Sequence, residues 1–239
     1  MGFDRSKTMR VHPVYLNPLD QGLSSVRGNE AKHLIKVLRV KPKAELRLFD
    51  GLGNEAKGIV IGSDKYSLEL EVFEVYKAKT EPAQEISLAI SLLKADKLAT
   101  VVRKATELGV REIKLFYSQY SETQKISDNK LQRLNRISLE AAKQSARAYW
   151  PKVHTPVALQ DLSLTELNIL AHPYAQKSLA EIDTKKKNIC IITGPEGGFS
   201  DSELKELNNI QLIKLGPRIL RAETAPVALI SALLIPNAI

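Results

Sequence analysis

Apolar residues recur along this chain with two periods, and the change of period divides it. Up to about residue 75 the dominant period is two. Residues 11–16 alternate weakly, Glu45-Leu46-Arg47-Leu48-Phe49 alternates cleanly, and residues 58–62 and 66–76 continue the pattern, with Leu68, Leu70, Val72 and Val75 mostly two apart. Period two turns alternate side chains to opposite faces, which predicts half-buried strands. Ala31, Leu34, Ile35 and Leu38 fall instead at i, i+3, i+4 and i+7, so one helix interrupts the strands before Pro42 stops it. Its other side carries Lys32, Lys36 and Arg39 at i, i+4 and i+7.

Residues 77–85 (KAKTEPAQE) are polar, contain Pro82 and read as a linker. Beyond them strands and helices alternate. Residues 86–93 predict a strand. Asp96 caps a helix with apolar Leu98, Val101, Val102, Ala105 and Leu108, closed by Gly109. Residues 110–117 predict a strand and 127–149 a long helix. Residues 169–172 and the strongly apolar 189–193 predict two more strands. Ser200 and Glu203 form a capping box that opens a helix, residues 212–215 predict a strand, and 224–234 the last helix. This alternation predicts a parallel α/β sheet after a small β-rich domain.

Composition narrows the class. The 239 residues are 44% apolar and 26% charged, which excludes a largely disordered chain and suits one large domain or two smaller ones. The single cysteine, Cys190, cannot pair within the chain or build a thiolate metal site, and the four histidines (His12, His33, His154, His172) have no metal-ligand spacing. No metal is expected, and a reducing, cytoplasmic compartment fits. The longest apolar run, residues 225–235, is broken by Pro226 and Ser231 and is too short for a membrane span. Met1-Gly2 with Ser6 matches a myristoylation pattern, but residues 1–8 read better as a disordered polar overhang before Met9.

The net charge of +8 is uneven: residues 76–160 hold 15 basic and 8 acidic residues. A concentrated basic surface suits a polyanion, nucleic acid first; a merely solvated surface is the alternative.

Four motifs carry candidate chemistry. Gly51-Leu52-Gly53-Asn54-Glu55-Ala56 fits the dinucleotide fingerprint G-x-G-x-x-A, but a strand rather than a helix follows, so it reads as a hairpin turn. Thr193-Gly194-Pro195-Glu196-Gly197-Gly198 leaves an apolar strand and enters a capped helix. Its glycines would admit a ligand close to the backbone, at the strand end where parallel α/β proteins bind ligands. Leu215-Gly216-Pro217-Arg218-Ile219-Leu220-Arg221-Ala222-Glu223-Thr224 is a second such loop. Ile219 and Leu220 could flank a flat ligand, or plug the core while Arg221 and Glu223 pair. Glu140, Gln144 and Arg147, at i, i+4 and i+7, share a helix face that is either functional or solvated.

ITGPEGGFSDSE (residues 192–203) and LGPRILRAETA (215–225) resemble the signature loops of the SPOUT-class RNA methyltransferases. With HLIKVLR (33–39), LFDG (48–51), KATELGV (104–110) and EAAKQSAR (140–147), the chain more narrowly resembles the bacterial 16S ribosomal RNA uridine-N3 methyltransferases. Lys143 departs from the acidic residue expected before Gln144 and makes that helix face more basic.

The resemblance implies a PUA-like RNA-binding β-barrel over residues 1–76, a linker over 77–85, and an α/β SPOUT methyltransferase domain over 86–239 with a C-terminal trefoil knot. It implies an obligate homodimer that uses S-adenosylmethionine on 16S ribosomal RNA in the small subunit. His172, Thr193, Gly194, Glu196, Gly197, Gly198, Leu215, Gly216, Ile219, Leu220 and Thr224 would hold the cofactor. Arg221 and Glu223, with Arg147 as a further guanidinium, would serve methyl transfer. Lys32, Lys36, Arg39, Lys97 and Lys104 would contact RNA phosphates. Methylation of another RNA atom, or ribosome-assembly binding without catalysis, are the alternatives.

Overall fold

The computed structural model describes residues 13–123 and 125–235. The overhang, the myristoylation pattern, His12 and the start of the first expected strand lie outside the described residues. The chain forms two compact units: Met1–Glu81 with Ala146–Tyr149, and Pro82–Ser145 with Trp150–Ile239.

The first unit is a five-stranded sheet. Its strands are β1 (Pro13–Tyr15), β2 (Gly22–Arg27), β3 (Glu45–Phe49), β4 (Asn54–Ser63) and β5 (Ser67–Lys77), in the order β1-β3-β4-β5-β2. β1 runs parallel to β3 and the other pairs are antiparallel. Leu46, Leu48, Val60, Leu68, Leu70 and Val72 fill the core with Leu34. The Gly51 motif is the β3–β4 hairpin, where the Asp50 carboxylate accepts the Leu52 and Asn54 amides at 2.7 and 3.0 Å.

The basic helix is shorter than its spacing predicts. α1 (Gly28–Lys32) continues into one wide π turn, His33–Val37. Arg39 lies beyond it with φ 52°, so Lys32, Lys36 and Arg39 share no helical stripe.

The second unit has a parallel sheet. β6 (Glu85–Ser91), α2 (Ala95–Leu108), β7 (Glu112–Tyr117), α3 (Asp128–Gln144), β8 (Lys152–Val153), β9 (Val157–Ala158), β10 (Leu167–Ala171), β11 (Asn188–Thr193), α4 (Asp201–Glu206), β12 (Gln211–Ile213) and α5 (Thr224–Leu234) follow in turn. Six strands lie in the order β12-β10-β11-β6-β7-β8, and β9 also pairs with β7. Burial on both faces explains the unbroken apolar runs. Ile86, Leu88, Ile90, Ile189 and Ile191 meet the helical face that includes Val101, Val102, Leu229 and Leu233. Ala89, Phe116, Leu170, Cys190 and Ile192 pack with Phe199 and Leu204 on the other side. Burial pushes the Cys190 thiol up to about 11, so it stays a neutral core side chain.

Two helix expectations need correction. Asp96 lies in the first turn of α2, whose N-cap is Lys94 without a side-chain cap bond. The long helix expected to Tyr149 stops at Gln144, because Ala146 takes φ 57° and Ala146–Tyr149 joins the first unit. Glu140, Gln144 and Arg147 therefore do not share one helix face.

At the start of β7, Ser87 Oγ, Lys114 Nζ and His154 Nε2 converge on the Glu112 carboxylate at 3.0, 3.1 and 2.9 Å. The His154 hydrogen bond, aided by Lys114 and Ser87, outweighs burial and holds Glu112 at about 2 against its ordinary 4.5. A lowered carboxyl pKa adds stability that is fully present above the ordinary value and lost as pH falls toward the folded one. The melting temperature is expected to fall between about pH 4.5 and 2, and Glu112→Gln should flatten that limb in a pH series of thermal melts.

Candidate active site

Three loops leave the C-terminal ends of the adjacent strands β10, β11 and β12 and enclose a cavity of about 420 Å³. The first contributes Ala171, His172 and Pro173, the second Thr193 through Glu196 with Gly198 and Phe199, and the third Leu215, Gly216 and residues 218–222 with Ala225. The cavity therefore opens where parallel α/β sheets present ligand-binding loops.

Local sequence fixes each loop. The His172 amide donates to the Ile213 carbonyl at 2.8 Å and ties the first loop to β12. Ser200 and Glu203 close the expected capping box on α4, and Glu203 also accepts the Gln119 amide at 2.8 Å. Burial would raise the Glu203 pKa, but the Ser200 and Gln119 amides outweigh it and lower it. Phe199 stacks on Phe116 with ring centroids 6.1 Å apart, anchoring the second loop to the sheet. A Cβ on Gly194 would stand 2.7 Å from the Phe199 ring, and one on Gly197 would stand 2.7 Å from Tyr120 Cβ. The immediate reason for glycine at both positions is this loop packing.

The cavity's electrostatics centre on Lys97 from α2. Its ammonium lies 2.7 Å from Glu196 and 3.7 Å from Glu223. The Glu196 hydrogen bond raises the Lys97 pKa despite desolvation. Burial works against the charged Glu196, but Lys97 outweighs it and lowers that pKa. Glu223 Oε2 and Thr193 Oγ1 are buried without a hydrogen-bond partner. Arg221 lines the cavity and, among the described residues, makes no ion pair; Glu223 pairs with Lys97, not with Arg221. Ile219 lines the cavity while 73% exposed, so it does not plug the core.

Of the expected cofactor residues, His172, Thr193, Gly194, Glu196, Gly198, Leu215, Gly216, Ile219 and Leu220 line the cavity, whereas Gly197 and Thr224 do not. Lys97, expected at RNA phosphates, lines the cavity instead. Lys104 is exposed on α2 and pairs with Glu107 at 2.8 Å. Lys32, Lys36 and Arg39 are exposed on the first unit. Arg147 is 4% exposed in the first unit, pairs with Glu81 at 2.6 Å, and does not line the cavity. Sequence reading gave no role to Phe199, and placed Arg218 in the pocket only as part of the Leu215–Arg221 loop. Both lie inside the quoted motifs, but the patterns did not show that their side chains reach the cavity.

A family model described as an RNA methyltransferase domain matches residues 80–234, and one described as an RNA methyltransferase PUA domain matches residues 26–73. The chain belongs to the RNA methyltransferase family. The chain is 30% identical to a Rickettsia conorii protein named ribosomal RNA small subunit methyltransferase E, over 93% of this chain and 95% of that one. A Neisseria gonorrhoeae structure of the same name, bound to S-adenosylmethionine, is 28% identical with TM-score 0.86, over 93% of this chain and 96% of that one. A Legionella pneumophila methyltransferase structure, solved with the same cofactor, is 27% identical with TM-score 0.85, over 94% and 97%. The matched residues 80–234 include Lys97 and all three loops of the cavity. Among the described residues no helix is long and apolar enough to cross a membrane.

Proposed function

We propose that this methyltransferase transfers a methyl group from S-adenosylmethionine to N3 of a uridine in 16S ribosomal RNA, on the assembled small subunit. The cavity built from the three strand-end loops carries this reading, in a chain similar over nearly its full length to two structures solved with that cofactor. About 420 Å³ lies within the usual range of small-molecule sites. Ile219 and Leu220 offer apolar surface to an adenine. Thr193 Oγ1, without a hydrogen-bond partner, and the Glu196 carboxylate offer polar contacts to ribose and ammonium groups. Leu215 and Gly216 hold the adenosine through their backbone, and His172, Gly194 and Gly198 complete the wall. Gly197 packs against Tyr120, and the Thr224 amide donates to the Arg221 carbonyl at 2.9 Å.

When bound, S-adenosylmethionine supplies an electrophilic methyl on a positively charged sulfur. The residues of this chain deal with the acceptor. Uridine N3 keeps its proton at neutral pH, and as that proton leaves, negative charge spreads over O2 and O4. Arg221, which makes no ion pair among the described residues, stabilises that charge. Glu223 Oε2, buried without a hydrogen-bond partner, accepts the N3 proton. Arg147, committed to Glu81, is left out of this assignment. N3 sits on the Watson–Crick edge, so the target uridine enters unpaired.

Within the same reading, residues 1–76 form the RNA-binding domain and present Lys32, Lys36 and Arg39 to phosphates, and Lys104 does the same from the catalytic domain at 86–239. That domain carries the C-terminal knot and dimerises, and the enzyme works in the cytoplasm. Light scattering should give about twice the 26.6 kDa chain mass at micromolar concentration. A monomer that still methylates RNA would sink the dimer.

Gly194→Val should weaken S-adenosylmethionine binding at least tenfold, because the new Cβ displaces Phe199 and with it the loop. Overpacking of this kind costs about 1–3 kcal/mol of stability. Calorimetry with the cofactor and urea unfolding check the two effects, and normal affinity would reduce the loop to a plain turn. The experiment for the function is methyl transfer to isolated small subunits and to naked 16S RNA, with calorimetric detection of the cofactor. Transfer to subunits above naked RNA is expected. Absence of both cofactor heat and transfer would make the chain an RNA binder only.

A further inference from the structure

One strongly charged surface of the second unit lies outside the cavity. On α3, Lys130, Arg133 and Arg136 recur at i, i+3 and i+6, all exposed. At 1.5 Å per residue they span about 9 Å along the helix. On α2, which packs against α3, Arg103 and Lys104 are exposed beside them. Arg103, Lys104 and Arg136 border a groove of about 570 Å³ between the two helices, with Ile137 and Ala141 also lining it.

Two acidic residues, Glu107 and Glu140, also line the groove, and each is already paired with a lysine. Glu107 is held by Lys104 at 2.8 Å and Glu140 by Lys143 at 3.5 Å. Among the described residues, Arg103, Lys130, Arg133 and Arg136 have no carboxylate within ion-pair distance. Lys130 and Arg133 also rim a small recess walled by Leu92, Leu93, Leu98 and Ile126. Leu98 lines that recess and its chain neighbour Lys97 lines the catalytic cavity, so the first turns of α2 separate the two.

We propose that the α2–α3 face is a binding track for the phosphodiester backbone of the substrate RNA, leading toward the cavity beside Lys97. This rests on the reading of the chain as an RNA methyltransferase. Cations spread along a groove suit a polyanion better than a single phosphate. Guanidinium groups are suited to it because they present paired donors to phosphate oxygens and are charged at every working pH. Arg103 holds the strand from α2 while Arg133 and Arg136 hold it from α3.

The test uses full-length protein and a fluorescein-labelled single-stranded uridine-rich RNA. Arg133→Glu/Arg136→Glu is compared with the charge-matched pair Lys185→Glu/Lys187→Glu, exposed just before the N-terminal end of β11 and away from the groove. At about 0.1 M salt the α3 pair should weaken RNA binding at least tenfold. It should also make the log–log salt dependence shallower by roughly 1.4, the value for two phosphates on a single strand. The control pair should lose much less, and calorimetric S-adenosylmethionine affinity should stay at wild type in both. Arg133→Gln/Arg136→Gln gives the same comparison should the reversal fail to fold. Wild-type affinity and slope in the α3 variants, or equal losses in the control, would overturn the track while leaving the enzyme reading intact. Absence of salt-dependent RNA binding by the wild type, with the cofactor still bound, would overturn the track and the RNA reading together.

Discussion

Arg221→Ala is expected to lower kcat by about 10²–10³, the usual loss for one donor aimed at developing charge, while cofactor and RNA affinities change little. The residue lines the cavity, and among the described residues nothing neutralises it. Its neighbour Glu223 is engaged by Lys97, so the Arg221 charge is available for the uridine anion. A guanidinium cannot lose its proton under working conditions, so the defect should be similar at every pH where the wild type is active. Single-turnover rates with saturating cofactor and RNA check this. A change confined to KM would make Arg221 a binding residue.

Glu223→Gln is expected to cost about 10² in kcat, and Lys97→Met should imitate it near neutral pH. Glutamine keeps the size of glutamate but cannot take a proton from N3. Removing Lys97 acts through the other two corners of the cluster. Glu196 would then lose the ammonium 2.7 Å away and Glu223 the one 3.7 Å away, so neither carboxylate keeps the cation that holds it in place. A carboxylate out of place cannot take the proton from N3. Raising the pH should restore Glu223→Gln as uridine itself ionises without a base. The double variant should be little worse than Glu223→Gln alone. Additive defects would separate Lys97 from Glu223.

The sequence carried the second unit further than the first. The last helix runs over Thr224–Leu234 as its apolar run predicts, Gly109 closes α2 with φ 114°, and Ser200 with Glu203 caps α4. These features are local, set by a cap, a left-handed residue or a run that no neighbour overrides. β2 is different. In Gly22–Arg27 only Val26 is buried and Leu23 is 82% exposed, so no alternation marks it, and pairing with β5 makes it a strand. The overrun of α3 has the same origin. Residues 146–149 are held by Glu81, which binds the Arg147 guanidinium and accepts the Ala148 and Tyr149 amides at 3.2 and 3.3 Å. Nothing near residue 145 announces a partner more than sixty positions back.

The cavity divides in the same way. Its loops were legible because glycine and proline follow apolar strands, which marks strand ends. Lys97 was legible only as a surface cation, since its role depends on α2 bringing it between Glu196 and Glu223. Gly194 and Gly197 were legible as glycines, but Phe199 and Tyr120, which fill the space a Cβ would need, were not.

The most direct measurement is the identity of the methylated nucleoside. Small subunits lacking the modification are incubated with the enzyme and isotopically labelled S-adenosylmethionine, their RNA is digested, and the nucleosides are resolved by mass spectrometry. The expected result is a single labelled species, N3-methyluridine, formed by the wild type and nearly absent with Arg221→Ala. Label in a methylated guanine or in a ribose methyl group, or none above background with the cofactor bound, would contradict it.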